Sequence, residues 1–109
     1  PLVLNGAAGS PGVVQGTARV VRSLADAGRI GPGDILVAPT TAPPWTPLFA
    51  TVAAVVTDTG GVLSHCAVVA REYRIPAVVG TGTATTAIQD GQLIEVDGDR
   101  GIVRIVQDS

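Results

Sequence analysis

Five small or β-branched apolar residues, Val52-Ala53-Ala54-Val55-Val56, run into Thr57-Asp58-Thr59-Gly60-Gly61 and then Ser64-His65-Cys66-Ala67-Val68-Val69-Ala70-Arg71-Glu72. The apolar run predicts a buried strand. Gly60 and Gly61 allow a sharp bend and a close approach of backbone to a bound group. Ser64 is a favoured N-cap residue, which puts His65 at the first position of a helix. A strand, a glycine turn and a helix start therefore converge on one nucleophilic side chain, and this is the only histidine of the chain.

The chemistry of such a junction follows from the helix terminus. The first backbone N–H groups have no intrahelical partner, and the aligned peptide dipoles leave partial positive charge there. Anions, and phosphate groups in particular, are stabilised at that end. An imidazole is a nucleophile that is neutral near physiological pH. A phosphoryl group taken up by His65 would place its charge beside the helix N-terminus and the Ser64 hydroxyl. The bland alternative is a capping or surface histidine beside an ordinary glycine turn.

The stretch Gly60-Gly61-Val62-Leu63-Ser64-His65-Cys66-Ala67-Val68-Val69-Ala70-Arg71-Glu72-Tyr73-Arg74-Ile75-Pro76-Ala77-Val78-Val79-Gly80 resembles the signature of the mobile domain of phosphoenolpyruvate-utilising enzymes. This is the swivelling phosphohistidine domain of pyruvate phosphate dikinase, phosphoenolpyruvate synthase, sugar-phosphotransferase enzyme I and rifampin phosphotransferase. The resemblance implies a compact α/β domain of the swivelling β/β/α type. It implies that His65 accepts a phosphoryl group and carries it between distant active sites, with Thr57, Gly60, Gly61 and Ser64 shaping and binding the phosphate. The phosphoryl group would come from an ATP- or PEP-binding partner domain; ATP and Mg²⁺ would belong to a partner ATP-grasp domain, and the acceptor to a further domain, in the same chain or in separate ones. No cofactor is implied in this domain itself. The dikinases and enzyme I carry threonine two residues before the histidine; Leu63 stands there instead, a form closer to rifampin phosphotransferase and phosphoenolpyruvate synthase-like proteins.

At 109 residues the chain is long enough for one domain and one core. Aromatic residues are limited to Trp45, Phe49 and Tyr73, so the core must be built from Val, Ala, Ile and Leu. The net charge of −2, with the cationic residues all arginine and scattered, offers no basic patch for nucleic acid. No apolar run approaches the ~20 residues of a membrane span, and no signal peptide is visible. A single cysteine, Cys66, excludes an internal disulfide and fits a reducing cytoplasm. One cysteine and one histidine are too few for a zinc site, so Cys66 reads as a small buried residue.

Along the rest of the chain, residues 1–10 read as the end of an interdomain linker. Gly12–Val21 reads as one strand, or two bent at Gly16, and Leu24–Gly28 as a short helical turn. Ile35–Ala38, Ala77–Val79, Leu93–Asp97 and Ile102–Val106 read as strands, the last two joined by a hairpin turn over Gly98–Gly101. Pro39–Trp45 is a stiff loop carrying the sole tryptophan, and Thr46-Pro47-Leu48-Phe49 predicts a helix capped by Thr46. Trp45 is expected to pack over a core edge or to dock a partner. Gly80-Thr81-Gly82-Thr83 predicts a strand-to-helix turn; it lacks the ending of a phosphate-binding P-loop. Arg71 lies six residues beyond His65, off its helical face, and reads as a structural or docking residue. Six or seven strands and two or three helices are expected.

The leading expectation is a phosphoryl-carrier component of a dikinase-type phosphotransferase that does not turn over alone. A non-catalytic swivel or docking module of the same fold is the alternative. A hydrolytic or metal-binding domain is disfavoured because no base accompanies His65.

Overall fold

The computed structural model describes residues 3–107. Eight strands run in chain order as β1 (Val3–Asn5), β2 (Ala7–Ser10), β3 (Val13–Val20), β4 (Ile35–Ala38), β5 (Ala54–Thr57), β6 (Ala77–Val79), β7 (Leu93–Asp97) and β8 (Ile102–Gln107). Helix α1 (His65–Tyr73) joins β5 to β6, and the single turn α2 (Ala84–Ala87) follows β6. Two 3-10 helices, Leu24–Arg29 and Pro43–Ala50, bridge β3 to β4 and β4 to β5.

The strands pair in the order β1-β8-β7-β3-β4-β5-β6-β2, and β3 changes partner along its length. Val13–Thr17 pairs antiparallel with β7, and Ala18–Val20 pairs parallel with β4. Gly16 lies just before the changeover, opposite Ile94 in the antiparallel part, where an added Cβ would lie 2.8 Å from the Gly33 carbonyl oxygen. Of the two expectations, one strand or two bent at Gly16, the structure has one continuous strand, whose partner changes between Thr17 and Ala18. β4, β5 and β6 are buried at every position, the pattern of parallel strands covered on both faces. β7 alternates between buried and half-buried residues, as a strand with one solvated face does.

Side-chain alternation sorts the parallel strands into two cores. Ile35, Val37, Val56 and Val78 face Ile94, Val96, Val103 and Ile105 of the antiparallel part. Leu36, Ala38, Val55, Ala77 and Val79 face Phe49 and the Cys66, Ala67, Val69 and Ala70 side of α1. The layers are therefore antiparallel sheet, parallel sheet and helix, the α/β architecture of a β/β/α swivel domain.

Two expectations need correction. Residues 3–10, read as a linker end, form strands on both edges: β1 pairs with β8, and β2 pairs with β6. Their Gly/Ala-rich composition reflects crowding; an added Cβ at Gly6 would come within 2.5 Å of the Val79 carbonyl oxygen. These two additions take the strand number to eight, above the six or seven expected. The helix expected from Thr46 begins at Pro43 with Ala42 as its N-cap and contains Pro47. Thr46 is inside it and is used elsewhere.

An ion-pair cluster ties the β3 end of the parallel sheet to the turn before β7. Arg19 contacts Asp34 at 3.1 Å and Asp90 at 3.5 Å, and Arg29 meets Asp90 at 2.9 Å. Burial alone would raise the Asp90 carboxyl, but the Arg29 hydrogen bond, the Val20 N–H and the charges of Arg29 and Arg19 outweigh it and hold it below its ordinary value. A lowered carboxylate contributes stability that is present above its unfolded-state value and lost as pH falls through its folded one. Asp90→Asn is accordingly expected to cost up to about 1 kcal/mol at pH 7, because the side chain is 40% exposed and solvent screens it. In denaturant titrations the gap between variant and parent should close as pH drops below the ordinary carboxylate range. A constant gap down to strongly acidic pH would contradict this assignment.

Candidate active site

Three loops meet at the carboxyl ends of β4, β5 and β6, the side of a parallel α/β sheet where ligands bind. Backbone bonds lock them together. Asp58 and Thr59 donate their N–H groups to the carbonyls of Ala38 and Pro39, and Thr81 and Gly82 donate theirs to Thr57 and Asp58. The Asp58 carboxylate accepts from the Thr85 N–H at 2.9 Å and from its hydroxyl at 2.6 Å.

His65 opens α1, as expected from the sequence, with Ser64 as its N-cap; the Ser64 Oγ accepts from the Ala67 N–H over a long 3.4 Å. The imidazole is held on both nitrogens. Thr41 Oγ1 lies 2.8 Å from Nδ1, and Thr46 Oγ1 lies 3.2 Å from Nε2. The Phe49 ring meets the imidazole edge-on, with centroids 6.0 Å apart. Thr41 is buried and Thr46 half-buried, so the partner of Nδ1 is the more enclosed of the two. Neither threonine stood out in the sequence as a histidine partner. The available signal was a threonine-bearing loop after a buried strand, and only the tertiary fold brings it across to the β5–α1 turn.

The expected phosphate-binding residues separate into different roles. Gly60 has φ +104°, a left-handed conformation that favours glycine, and an added Cβ would sit 3.0 Å from the Ser64 side chain. Gly61 would meet nothing within 4 Å, so its bareness leaves open surface beside the histidine. Ser64 is half-buried at the helix start. Thr57, expected to help bind the phosphate, is fully buried, and its hydroxyl donates to the Thr59 carbonyl at 2.8 Å, inside the fold. Leu63, in contrast, is 86% exposed at the tip of the loop.

Cys66 is buried under the site. Burial pushes its thiol up to about 12, against the lowering hydrogen bonds of Thr41 and Thr57. The thiolate is the reactive form, so the folded chain should resist iodoacetamide at neutral pH while the urea-unfolded chain is alkylated promptly. Equal rates in the two states would contradict the burial. Arg71 sits away from the imidazole and braces the loop, donating to the Gly9 carbonyl at 2.9 Å and the Val62 carbonyl at 2.7 Å. Trp45 is half-buried against the helix-side core. Among the described residues, no group of three or more His, Cys, Asp or Glu could hold a metal ion, and no helix is long and apolar enough to cross a membrane.

Residues 30–101 match the family described as PEP-utilising enzyme, mobile domain. The chain belongs to this family. It is 62% identical over 101 residues to chondramide synthase cmdD of Chondromyces crocatus, covering 93% of this chain and 3% of that protein. It is 50% identical over 97 residues to rifampicin phosphotransferase of Bacillus cereus, covering 89% of this chain and 11% of that protein. Phosphoenolpyruvate synthase of Aeropyrum pernix is 46% identical over 103 residues, or 94% of this chain and 13% of that one. The chain thus spans a small fraction of the length of these curated relatives. Among solved structures it resembles Enzyme I, with a TM-score of 0.65 and 35% identity, over 76% of this chain and 34% of that one. It also shares its fold with Thermococcus kodakaraensis aconitase X, with a TM-score of 0.75 at 20% identity over 98% of this chain and all of that one.

Proposed function

We propose that this chain is the phosphohistidine carrier of a dikinase-type phosphotransferase, with His65 Nε2 as the nucleophile. The observation that carries this reading is the imidazole gripped at both nitrogens at the start of α1.

In this reading the ring carries its proton on Nδ1, which donates to Thr41 Oγ1. Nε2 is left with the lone pair, to which the Thr46 hydroxyl donates in the resting site.

In the transfer step the Nε2 lone pair forms the N–P bond while the bond from phosphorus to the leaving oxygen breaks, and that oxygen keeps the electron pair. The proton on Nδ1 stays on the ring, held by Thr41. The Thr46 and Ser64 hydroxyls and the free N–H groups of the first turn of α1 stabilise the new phosphoryl charge. Delivery to the acceptor is the reverse of this step. Splitting one displacement into two through a covalent intermediate is nucleophilic catalysis.

The donor would be ATP with Mg²⁺ on an ATP-grasp partner domain, and the acceptor would sit on a further domain, in the reducing cytoplasm. The relatives named above span both an antibiotic and a pyruvate-derived phosphoryl compound, and the carrier domain does not distinguish between such acceptors. The exposed Leu63 and bare Gly61 form the tip that enters a partner's site.

The test is intact-mass spectrometry at neutral to basic pH after incubation with ATP-Mg²⁺ and an active ATP-grasp partner, because phosphohistidine is acid-labile. A phosphoryl-sized gain that acid removes supports the carrier, and NMR of the product should assign phosphorus to Nε2. No gain with an active partner overturns the carrier reading and leaves a docking module.

A further inference from the structure

The far end of α1 carries a second arginine-lined feature. A cleft of about 320 Å³ opens between the end of β2 and the C-terminus of α1, lined by Ser10, Pro11, Arg71 and Arg74. Ser10 is 2% exposed, and its hydroxyl is a buried polar group with no hydrogen-bond partner. Such groups are rare in folded proteins and call for a ligand or a bound water. The guanidinium of Arg74 is the only one among the described residues without a hydrogen bond or ion pair. Arg19, Arg29, Arg100 and Arg104 meet carboxylates, and Arg22 and Arg71 meet carbonyls.

Arg74 also occupies an unusual backbone position. It closes α1 at φ +60° and ψ +41°, the sole non-glycine residue with positive φ among those described. Glycine is the usual occupant of this left-handed position, because a side chain there is strained. Glycine would meet this backbone conformation with less strain, so closing the helix does not account for the arginine. The larger groove around Arg22, Arg29 and Asp90 differs in that its arginines are already committed.

We propose that the cleft at Ser10, Arg71 and Arg74 is an oxyanion site that takes a phosphate group, free or on a phosphomonoester. Arg74 brings an uncommitted fork of donors, and Arg71 adds its remaining N–H groups and a second positive charge. A rotation of the Ser10 side chain, whose residue lines the cleft, would bring its unpartnered hydroxyl to a ligand oxygen or to a water bound to it. The C-terminus of a helix alone would repel an anion; two full positive charges reverse the sign. Among the described residues no carboxylate lies within ion-pair distance of either guanidinium to compete.

The experiment is a titration of the ¹⁵N-labelled chain with inorganic phosphate at constant ionic strength, followed by amide and arginine Nε–H shifts. Saturable shifts are expected at Ser10 and Arg74, with acetate at least about tenfold weaker and glycerol phosphate comparable to phosphate. In Arg74→Gly the response should fall at least about tenfold although the variant melts no lower than the parent, which separates lost binding from lost folding. Ser10→Ala should weaken phosphate without abolishing it. Linear, non-saturating shifts, an equal response to acetate, shifts centred on Gly60 and His65, or an unchanged response in Arg74→Gly would each overturn the site.

Discussion

His65→Ala is expected to abolish phosphoryl acceptance, with no residual acid-labile mass gain under conditions that fully label the parent chain. The loss is complete because no other imidazole exists in the chain and none of the hydroxyls around it is activated. Thr41 and Thr46 are hydrogen-bonded to the ring itself and lack a base once it is gone. The fold survives the change. His65 is half-buried and contributes an edge contact to Phe49 and two hydrogen bonds, so its removal costs on the order of 1–2 kcal/mol. The thermal transition of the variant should remain cooperative at a modestly lower temperature. Thr41→Val provides the informative partner, because it keeps the nucleophile and removes the acceptor for Nδ1–H. Its labelling should slow by about tenfold or more, in proportion to one lost hydrogen bond to a developing charge. A Thr41→Val chain labelled at the parental rate would contradict the tautomer argument and leave the nucleophile assignment standing.

Gly98→Ala is expected to be the most damaging single methyl in the fold, lowering stability by about 3 kcal/mol. A Cβ built on Gly98 would stand 1.9 Å from the Ser10 carbonyl oxygen and 3.0 Å from its carbon, contacts with backbone that no side-chain rotation relieves. The Gly98 N–H also donates to the Gly12 carbonyl at 2.7 Å, so the β7–β8 turn is pinned against the segment joining β2 to β3. Relief requires prising the hairpin off the β2 edge. For a chain of this size the loss corresponds to roughly 10–20 °C in Tm. Gly61→Ala is the control, because its Cβ meets nothing within 4 Å and its stability should change by less than about 0.5 kcal/mol. Near-equal melting of the two variants would show that the turn moves away freely.

Three glycines mark how far local reading extends. Gly60 and Gly61 read alike as a flexible pair before a helix, and Gly98 reads as an ordinary hairpin residue. In three dimensions Gly60 is required by its own backbone angle, Gly61 by the open surface it leaves, and Gly98 by a strand from the other end of the chain. Only the first of these causes is local, and only local causes are visible in neighbouring residues.

The same division runs through the site. The strand, the glycine turn, the Ser64 cap and the position of His65 follow from short-range rules of burial, turn geometry and capping, and the sequence by itself determined them. It also determined the buried character of β4, β5 and β6 through continuous apolar runs. The tertiary structure alone decided which side chains meet the imidazole. Thr41 and Thr46 precede His65 by 24 and 19 residues, and only the parallel pairing of β4 with β5 brings their loop beside the start of α1. It likewise decided that Thr57 turns inward to Thr59, that Arg71 braces carbonyls, and that residues 3–10 close both sheet edges. The physical reason is that strand pairing and core packing join residues far apart in the chain, and no local preference records which partner a given edge or hydroxyl will find.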